Sequence, residues 1–147
     1  MHDAPNTLDR FLLAQSVDYE SAIAELRRGR KQGHWIWYVL PQLRGLGMSS
    51  MSHEFGIAGR EEAARYLEHP VLGTRLRECV AAVCMHTTKS AVDMLGDLDA
   101  MKFRSCLTLF AEVAPTPEPF LQALSQFFGG IPDPKTLRLL AAGPDDT

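Results

Sequence analysis

Apolar residues recur every three or four positions along most of this chain, the spacing that places them on one face of an α-helix. A clear example is the run of Leu72, Leu76, Val80 and Val83. The same spacing, read with helix-starting and helix-ending residues, outlines a series of helical segments. The pattern predicts helices at about residues 8–15, 21–26, 51–55, 60–68, 72–84, 91–94, 101–113, 120–128 and 135–140.

Capping residues and helix breakers suggest where the first elements begin and end. Asn6 or Thr7 is expected to cap the first helix, and Asp18 to cap a second one that ends at Gly29. The stretch 33–41 holds aromatic and β-branched residues followed by a proline. It is predicted to be a short helix or an extended segment that fills the core with one or both tryptophans.

Similar signals mark the later boundaries. Ser49 or Ser50 is expected to cap the helix 51–55, and Ser90 the brief helix 91–94. A Pro-Asp-Pro run at 132–134 opens the last helix, because proline is well tolerated in a first turn.

Together these elements predict a mainly α fold of about seven to nine helices, several of them short. The chain contains no internal repeat and no linker long enough to divide it. We therefore expect residues 1–147 to form a single compact domain. Its ordered core should cover about residues 8–140, with a short disordered tail at 143–147.

Composition excludes several classes of protein. With 147 residues and 46% hydrophobic residues, the chain is long and apolar enough for one folded domain. It has no run of the roughly 20 apolar residues that a membrane helix needs, and residues 1–10 do not resemble a secretory signal. The three cysteines, Cys79, Cys84 and Cys106, form no CxxC pair, so no disulfide framework is expected and the cytoplasm is the predicted location.

Charge is distributed unevenly along the chain. The formal net charge is −3, which is not typical of a general nucleic-acid binder. Nevertheless, residues 27–53 contain no Asp or Glu. A solvated basic turn and a site for a phosphate or carboxylate both fit this stretch. Its cations are Arg27, Arg28, Arg30, Lys31 and Arg44.

The densest group of aromatic and polar residues follows directly. His34, Trp35, Trp37 and Gln42 supply an imidazole, both tryptophans of the protein and a side-chain amide within one short segment. A hydrophobic plug accounts for the tryptophans alone. A pocket with aromatic walls and a few polar groups accounts for the whole segment, and the neighbouring cation Arg30 suits an anionic, nucleotide-like ligand.

A second polar group lies at the start of the helix 101–113. Asp99, Lys102 and Ser105 are spaced by three residues, so on a helix they share one edge. They could form an ordinary surface ion pair and cap. They could also face a pocket, with the carboxylate as base or ribose acceptor and the lysine as a phosphate contact.

Metal binding and known phosphate-loop motifs find no support. The five histidines form no HxH, HExxH or HxxxH pattern, so no metal site is predicted. The loop 45–50 contains two glycines but matches neither GxGxxG nor GxxxxGK[ST], and a simple turn is the better interpretation. No cofactor is predicted.

Four blocks of residues carry a family resemblance that covers about residues 8–140. They are Gly29-Arg30-Lys31-x-x-His34-Trp35-x-Trp37-x-x-x-Pro41-Gln42, Glu62-Ala63-x-x-Tyr66-Leu67-x-His69-Pro70, Asp99-x-x-Lys102-Phe103-x-Ser105 and Phe128-Gly129-Gly130-x-Pro132-Asp133-Pro134. Together they resemble the family catalogued as domain of unknown function 1810. This resemblance implies a small, mainly α-helical protein of the kind found in bacteria and fungi, and it implies no activity. A weaker resemblance, in the order of a few residues, is to the NADAR group, helical proteins associated with ADP-ribose and N-glycoside hydrolysis.

The sequence therefore predicts a binder or hydrolase of a small anionic, nucleotide-like ligand of the ADP-ribose or NAD type. Asp99 or Glu62 would act as acid–base carboxylate. The expected ligand-binding residues are Arg30, His34, Trp35, Trp37, Gln42, Lys102 and Ser105. Two alternatives remain: a protein-interaction module without catalysis, and a weak nucleic-acid binder that uses residues 27–44.

Overall fold

Nine stretches of the chain form α-helices within residues 7–143, the residues that the computed structural model describes. The same range contains no β-strand, only one isolated parallel bridge between Leu43 and Ile57. The helices are α1 (Asp9–Arg28), α2 (Ile36–Val39), α3 (Ser50–Phe55), α4 (Arg60–Glu68), α5 (Leu72–Cys84), α6 (Ala91–Leu95), α7 (Asp97–Val113), α8 (Glu118–Phe128) and α9 (Pro134–Ala142).

Helix α7 is the centre of the packing. It contacts α2, α4, α6, α8 and α9, while α1 packs against α2 and α5. Phe103, Leu107 and Phe110 follow one another at helical spacing and are completely buried. Buried aromatic side chains of this size supply most of the apolar area that stabilises such a core. The predicted mainly α fold of a single compact domain is confirmed.

Several predicted boundaries are confirmed by the capping interactions. The Ser49 hydroxyl accepts the backbone N–H of Ser52 at 3.1 Å and so caps α3. Ser90 caps α6 in a reciprocal capping box with Asp93. Helix α1 ends at Gly29, whose φ of 77° lies in the left-handed region that glycine adopts without steric cost.

The prediction of two helices separated at Asp18 is wrong, because α1 is continuous from Asp9 to Arg28. Asp18 sits in its middle and accepts a hydrogen bond from the Tyr38 hydroxyl. A carboxylate engaged by a distant residue does not compete for a backbone N–H of its own helix, so the helix continues. The cap expected at Thr7 is also absent. The N-cap position is Leu8, without a side-chain hydrogen bond, and Asn6 lies outside the described residues.

Within the stretch 33–41, residues Ile36–Val39 form the short helix α2. Beyond it, the backbone N–H of Arg44 donates to the Ile57 carbonyl at 2.8 Å, and that of Ile57 to the Gln42 carbonyl at 2.9 Å. These two bonds fix the loop between α2 and α3 against the segment before α4. Residues of this loop line two surface cavities.

Two further properties bear on the class of protein. None of the described helices combines the length and the apolar character needed to cross a membrane. Cys79 and Cys106 are buried core residues, and burial raises the pKa of the Cys79 thiol to about 12 and that of Cys106 well above its ordinary value. Neither is a reactive thiolate at neutral pH. The tail predicted to be disordered lies, from residue 144 onward, outside the described residues.

Candidate functional site

A cleft of about 390 Å³ opens where the loop after α2, the exposed side of α7 and the start of α9 meet. Four of the predicted ligand-binding residues line it: Trp37, Gln42, Lys102 and Ser105. They come from two separate groups in the sequence, and the packing of α2 against α7 unites them. The complete lining is Trp37, Gln42, Leu46, Gly47, Met48, Ser49, Leu98, Met101, Lys102, Arg104, Ser105, Asp133 and Lys135.

Trp37 and Lys102 form the central contact of this cleft. The Lys102 Nζ atom lies 4.6 Å from the centroid of the Trp37 ring. Both side chains are only partly buried, so the ammonium group and the indole remain accessible from the cleft. A cation over an indole face is a favourable electrostatic arrangement.

A chain of charged groups runs from this contact to the other tryptophan. Lys102 Nζ lies 3.3 Å from Asp99 Oδ1, and Lys31 Nζ lies 2.7 Å from Asp99 Oδ2. Lys31 in turn sits over the Trp35 ring, 5.0 Å from its centroid. Both oxygens of Asp99 are therefore ion-paired, and the carboxylate holds Lys102 in place beside Trp37.

Trp35 belongs to the core and not to the cleft, although it lies only two residues before Trp37. It is 1% exposed, and its indole N–H donates to Glu25 Oε1 at 2.9 Å. The same oxygen accepts the backbone N–H groups of Gln32 at 2.8 Å and Gly33 at 2.9 Å. One buried carboxylate thus satisfies three donors and orders the turn between α1 and α2.

These hydrogen bonds determine the ionisation of Glu25. Burial by itself would raise the pKa of this carboxyl group, but the N–H groups of Gly33, Gln32 and Trp35, with the nearby charge of Lys31, outweigh that effect. The pKa of Glu25 is consequently lowered from its ordinary value of 4.5.

We expect the stability of the protein to fall in acid partly through Glu25. Because its pKa is lower in the folded than in the unfolded state, its contribution is complete above about pH 5. That contribution is lost as the pH falls through the lowered folded pKa. Urea unfolding at a series of pH values from about 7 to 3 measures this, with Glu25→Gln as the comparison. The variant should be less stable at neutral pH and lose less stability in acid. An identical acid dependence in both proteins would contradict the assignment.

The polar end of the cleft is built around the cap of α9. Asp133 Oδ2 accepts the Thr136 backbone N–H at 3.0 Å and the Thr136 hydroxyl at 2.6 Å. Ser105 Oγ lies 3.2 Å from Asp133 Oδ2 and 3.2 Å from the Met101 carbonyl oxygen, so its hydroxyl is already engaged. Asp133 and Ser105 shape this end of the cleft, and neither side chain is arranged as a nucleophile.

Cations dominate the charge of the lining. Arg104 donates from Nε to the Ile131 carbonyl and from an Nη atom to the Pro132 carbonyl, each at 2.9 Å. It thereby ties the segment before α9 to α7. Lys135 is exposed at the rim. Together with Lys102, these two residues give the cleft three cationic side chains. Among the described lining residues there is one carboxylate, that of Asp133.

Glu62 lies in the first turn of α4 and does not line this cleft. Its carboxylate is 2% exposed and forms a bidentate pair with Arg10 at 2.9 and 3.1 Å. It also accepts the Ala58 backbone N–H at 2.9 Å. It borders a second cavity, of about 770 Å³, between the loop after α2, the start of α4 and the end of α9. Asp99 and Glu62 therefore do not share a site.

The other two predicted residues also lie apart from the cleft. Arg30 and His34 are exposed, and neither lines a cavity described here. Among residues 7–143, no group of three His, Cys, Asp or Glu side chains is placed to hold a metal ion.

Several lining residues are not among the ligand contacts expected from the sequence. Leu98 and Met101 follow from helical spacing, because Ser105 lies seven residues after Leu98 and four after Met101 on α7. No pattern in the sequence indicated that Arg104 and Lys135 line the cleft. The contact between Ser105 and Asp133 joins residues 28 positions apart, which spacing does not predict.

Fold and cleft together define a small, mainly α-helical protein with a cationic, tryptophan-containing surface cleft. The chain belongs to the family described as "Protein of unknown function (DUF1810)", whose model matches residues 5–140. The resemblance found in the four sequence blocks is thus confirmed.

A solved structure with the same fold is described as the crystal structure of the conserved hypothetical protein Rv1873 from Mycobacterium tuberculosis. It is 43% identical to this chain, with a TM-score of 0.91, and the match covers 94% of this chain and 99% of that one. Comparison with curated proteins found no match. The family match and the solved structure give no support to the weaker NADAR resemblance.

Proposed function

We propose that this protein binds a small anionic ligand with a planar ring, of about the size of a mononucleotide, in the cleft beside Trp37. The observation that carries the proposal is the accessible pair of Trp37 and Lys102, with the ammonium group 4.6 Å from the ring centroid. An indole offers a stacking surface for a ring, and a neighbouring ammonium group offers a contact for an anion.

The size and charge of the cleft support this class of ligand. A volume of about 390 Å³ falls near the lower end of small-molecule sites, which favours a mononucleotide over a complete dinucleotide. The excess of cationic side chains in the lining favours phosphate or carboxylate.

Binding has more support than hydrolysis. An N-glycoside hydrolase needs a carboxylate that is free to act on the sugar or on a water molecule. Asp99 is ion-paired through both oxygens, and Asp133 is engaged by Ser105 and Thr136. Glu62 borders the other cavity.

The two alternative functions rest on fewer observations. The stretch 27–44 does not present its five cations as one group, because Lys31 is buried in its pair with Asp99 and Arg44 lines the second cavity. That leaves Arg27, Arg28 and Arg30 exposed for a nucleic acid or a protein. We propose that the protein binds this ligand in the cytoplasm. Its three cysteines are all free, as is usual in a reducing compartment.

Lys102 has two roles in this proposal. In the free protein its ammonium group covers one face of Trp37; with ligand bound, it moves to the anion and the ligand's ring takes its place. Lys102→Met should therefore weaken binding of adenosine monophosphate about 10-fold through loss of a charged contact. The same change should strengthen binding of uncharged adenosine about 3-fold, because a cation–π contact of roughly 0.5–1 kcal/mol no longer competes.

Isothermal titration of adenosine monophosphate, adenosine and ADP-ribose measures these affinities. Trp37→Ala should abolish binding of all three, while Arg30→Met, which removes an exposed cation outside the cleft, should leave them unchanged. The absence of heat at millimolar adenosine monophosphate with a folded protein would reject the proposal. If Lys102→Met weakened the binding of adenosine as well as that of adenosine monophosphate, the double role of Lys102 would be rejected.

A further inference from the structure

The cleft has an apolar end and a cationic end, and their order follows from the geometry of α7. Leu98, Met101, Lys102 and Ser105 are spaced by three, one and three residues, so they lie along one side of the helix. At 1.5 Å per residue, the distance from Leu98 to Ser105 along the helix axis is about 10 Å. This matches the length of a small ligand that lies along the helix.

The apolar end is unusually exposed. Met48, Leu98 and Met101 are 100%, 71% and 66% exposed, and all three line the same cleft. Exposed apolar side chains grouped at a cavity mark a binding surface more often than isolated ones do. Two of the three are methionines, whose flexible side chains adapt to a bound group.

The opposite end is cationic. Arg104 is held by the carbonyls of Ile131 and Pro132, and Lys135 is exposed beside it. Along α7, Lys102, which contacts Trp37, comes after Leu98 and Met101 and before Arg104. A ligand with a polar outer edge would leave the three apolar side chains in water, so the proposed ring and anion account for only part of the lining.

We infer that the ligand is amphipathic and carries an apolar substituent on the ring, on the side away from its anion. The anion lies toward Arg104 and Lys135, the ring lies on Trp37, and the substituent covers Leu98, Met101 and Met48. This inference rests on the proposed function, because it adds a third part to the same ligand. It assigns Leu98 and Met101 as residues that determine specificity.

The test compares adenosine monophosphate with N6-benzyl adenosine monophosphate in isothermal titrations of the full-length chain. The benzyl group lies across the base from the phosphate, which matches the order of groups along the cleft. We expect the benzyl derivative to bind about 10-fold more tightly, because its ring removes apolar area from water on both sides. ADP-ribose, whose extension is polar, should show no such gain.

Leu98→Ser and Met101→Ser should each weaken binding of the benzyl derivative several-fold more than they weaken binding of adenosine monophosphate. Both residues are exposed, so neither change removes a core contact. Met85→Ser is the matched control. Met85 is 78% exposed at the end of α5 and outside the cleft, and this change should have no effect.

The outcomes separate the inference from the proposed function. Equal affinity for the two nucleotides overturns the inference and leaves the proposed function standing. If the benzyl derivative still binds more tightly in both serine variants, its substituent lies elsewhere, and the inference is again overturned. If neither nucleotide binds to the folded protein, the proposed function fails, and the inference fails with it.

Discussion

Replacing Glu62 by alanine is expected to destabilise the protein by about 3–5 kcal/mol, the typical cost of leaving one partner of a buried ion pair alone. The remaining partner, Arg10, would keep its bonds to the Glu54 and Gly56 carbonyls but lose both bonds to the carboxylate. Because Arg10 is on α1 and Glu62 on α4, the change also loosens the attachment of these helices. Urea unfolding measures the loss directly.

Asp99→Ala is the matched control for this prediction. The Asp99 side chain is 19% exposed, compared with 2% for that of Glu62, and its carboxylate is paired with Lys31 and Lys102. Solvent screens its pair with Lys102, but the Lys31 side chain is only 7% exposed, so we expect a cost of about 1–3 kcal/mol, smaller than that for Glu62. Arg10→Ala combined with Glu62→Ala should cost less than the two single changes added together, since the double variant strands no charge. An undiminished stability of Glu62→Ala would contradict a structural role and restore Glu62 as a candidate for chemistry.

Replacement of the two tryptophans by alanine should destabilise the protein to different extents. Trp35→Ala should cost about 3–5 kcal/mol, because it leaves a large cavity in the core and deprives Glu25 of a donor. Trp37→Ala removes a half-buried side chain and should cost about 1–2 kcal/mol, in proportion to the smaller area buried. Thermal unfolding of both variants gives the comparison.

Ligand titration completes the comparison of the tryptophans. Trp37→Ala should lose nucleotide binding while it remains folded. Trp35→Phe, which keeps most of the buried volume, should keep that binding. A Trp37→Ala protein that is as unstable as Trp35→Ala would mean that Trp37 is a core residue too, and the cleft would then lose its aromatic wall.

Part of the candidate site could be predicted because it lies within single helices. Asp99, Lys102 and Ser105 share one edge of α7 through backbone geometry alone, and the caps at Ser49 and Ser90 depend on neighbours three residues away. Interactions of this range depend on residues that are close together in the sequence. The incorrect prediction of a helix boundary at Asp18 shows the limit of such local signals. The Asp18 carboxylate accepts a hydrogen bond from Tyr38, which is 20 residues away.

The roles of chemically similar residues could not be separated in this way. Trp35 and Trp37 are the same type of residue two positions apart, and Asp99 and Glu62 are both carboxylates with cationic residues nearby in the sequence. Their environments differ because Trp35 meets Glu25 from α1, and Glu62 meets Arg10, which is 52 residues away. Burial of this kind depends on how helices pack, which no local pattern specifies.

The sequence by itself determined the helical class of this protein, most helix boundaries, the free cysteines and its family. These properties arise from periodicity, caps and composition, which act over a few residues. Only the tertiary structure decided that Trp37 and Lys102 meet in one cleft, that Trp35 and Glu62 are buried, and that Leu98 and Met101 are exposed in the same cleft as the cations. The physical reason is that a side chain's exposure is set by the elements packed around it, and these come from distant parts of the chain.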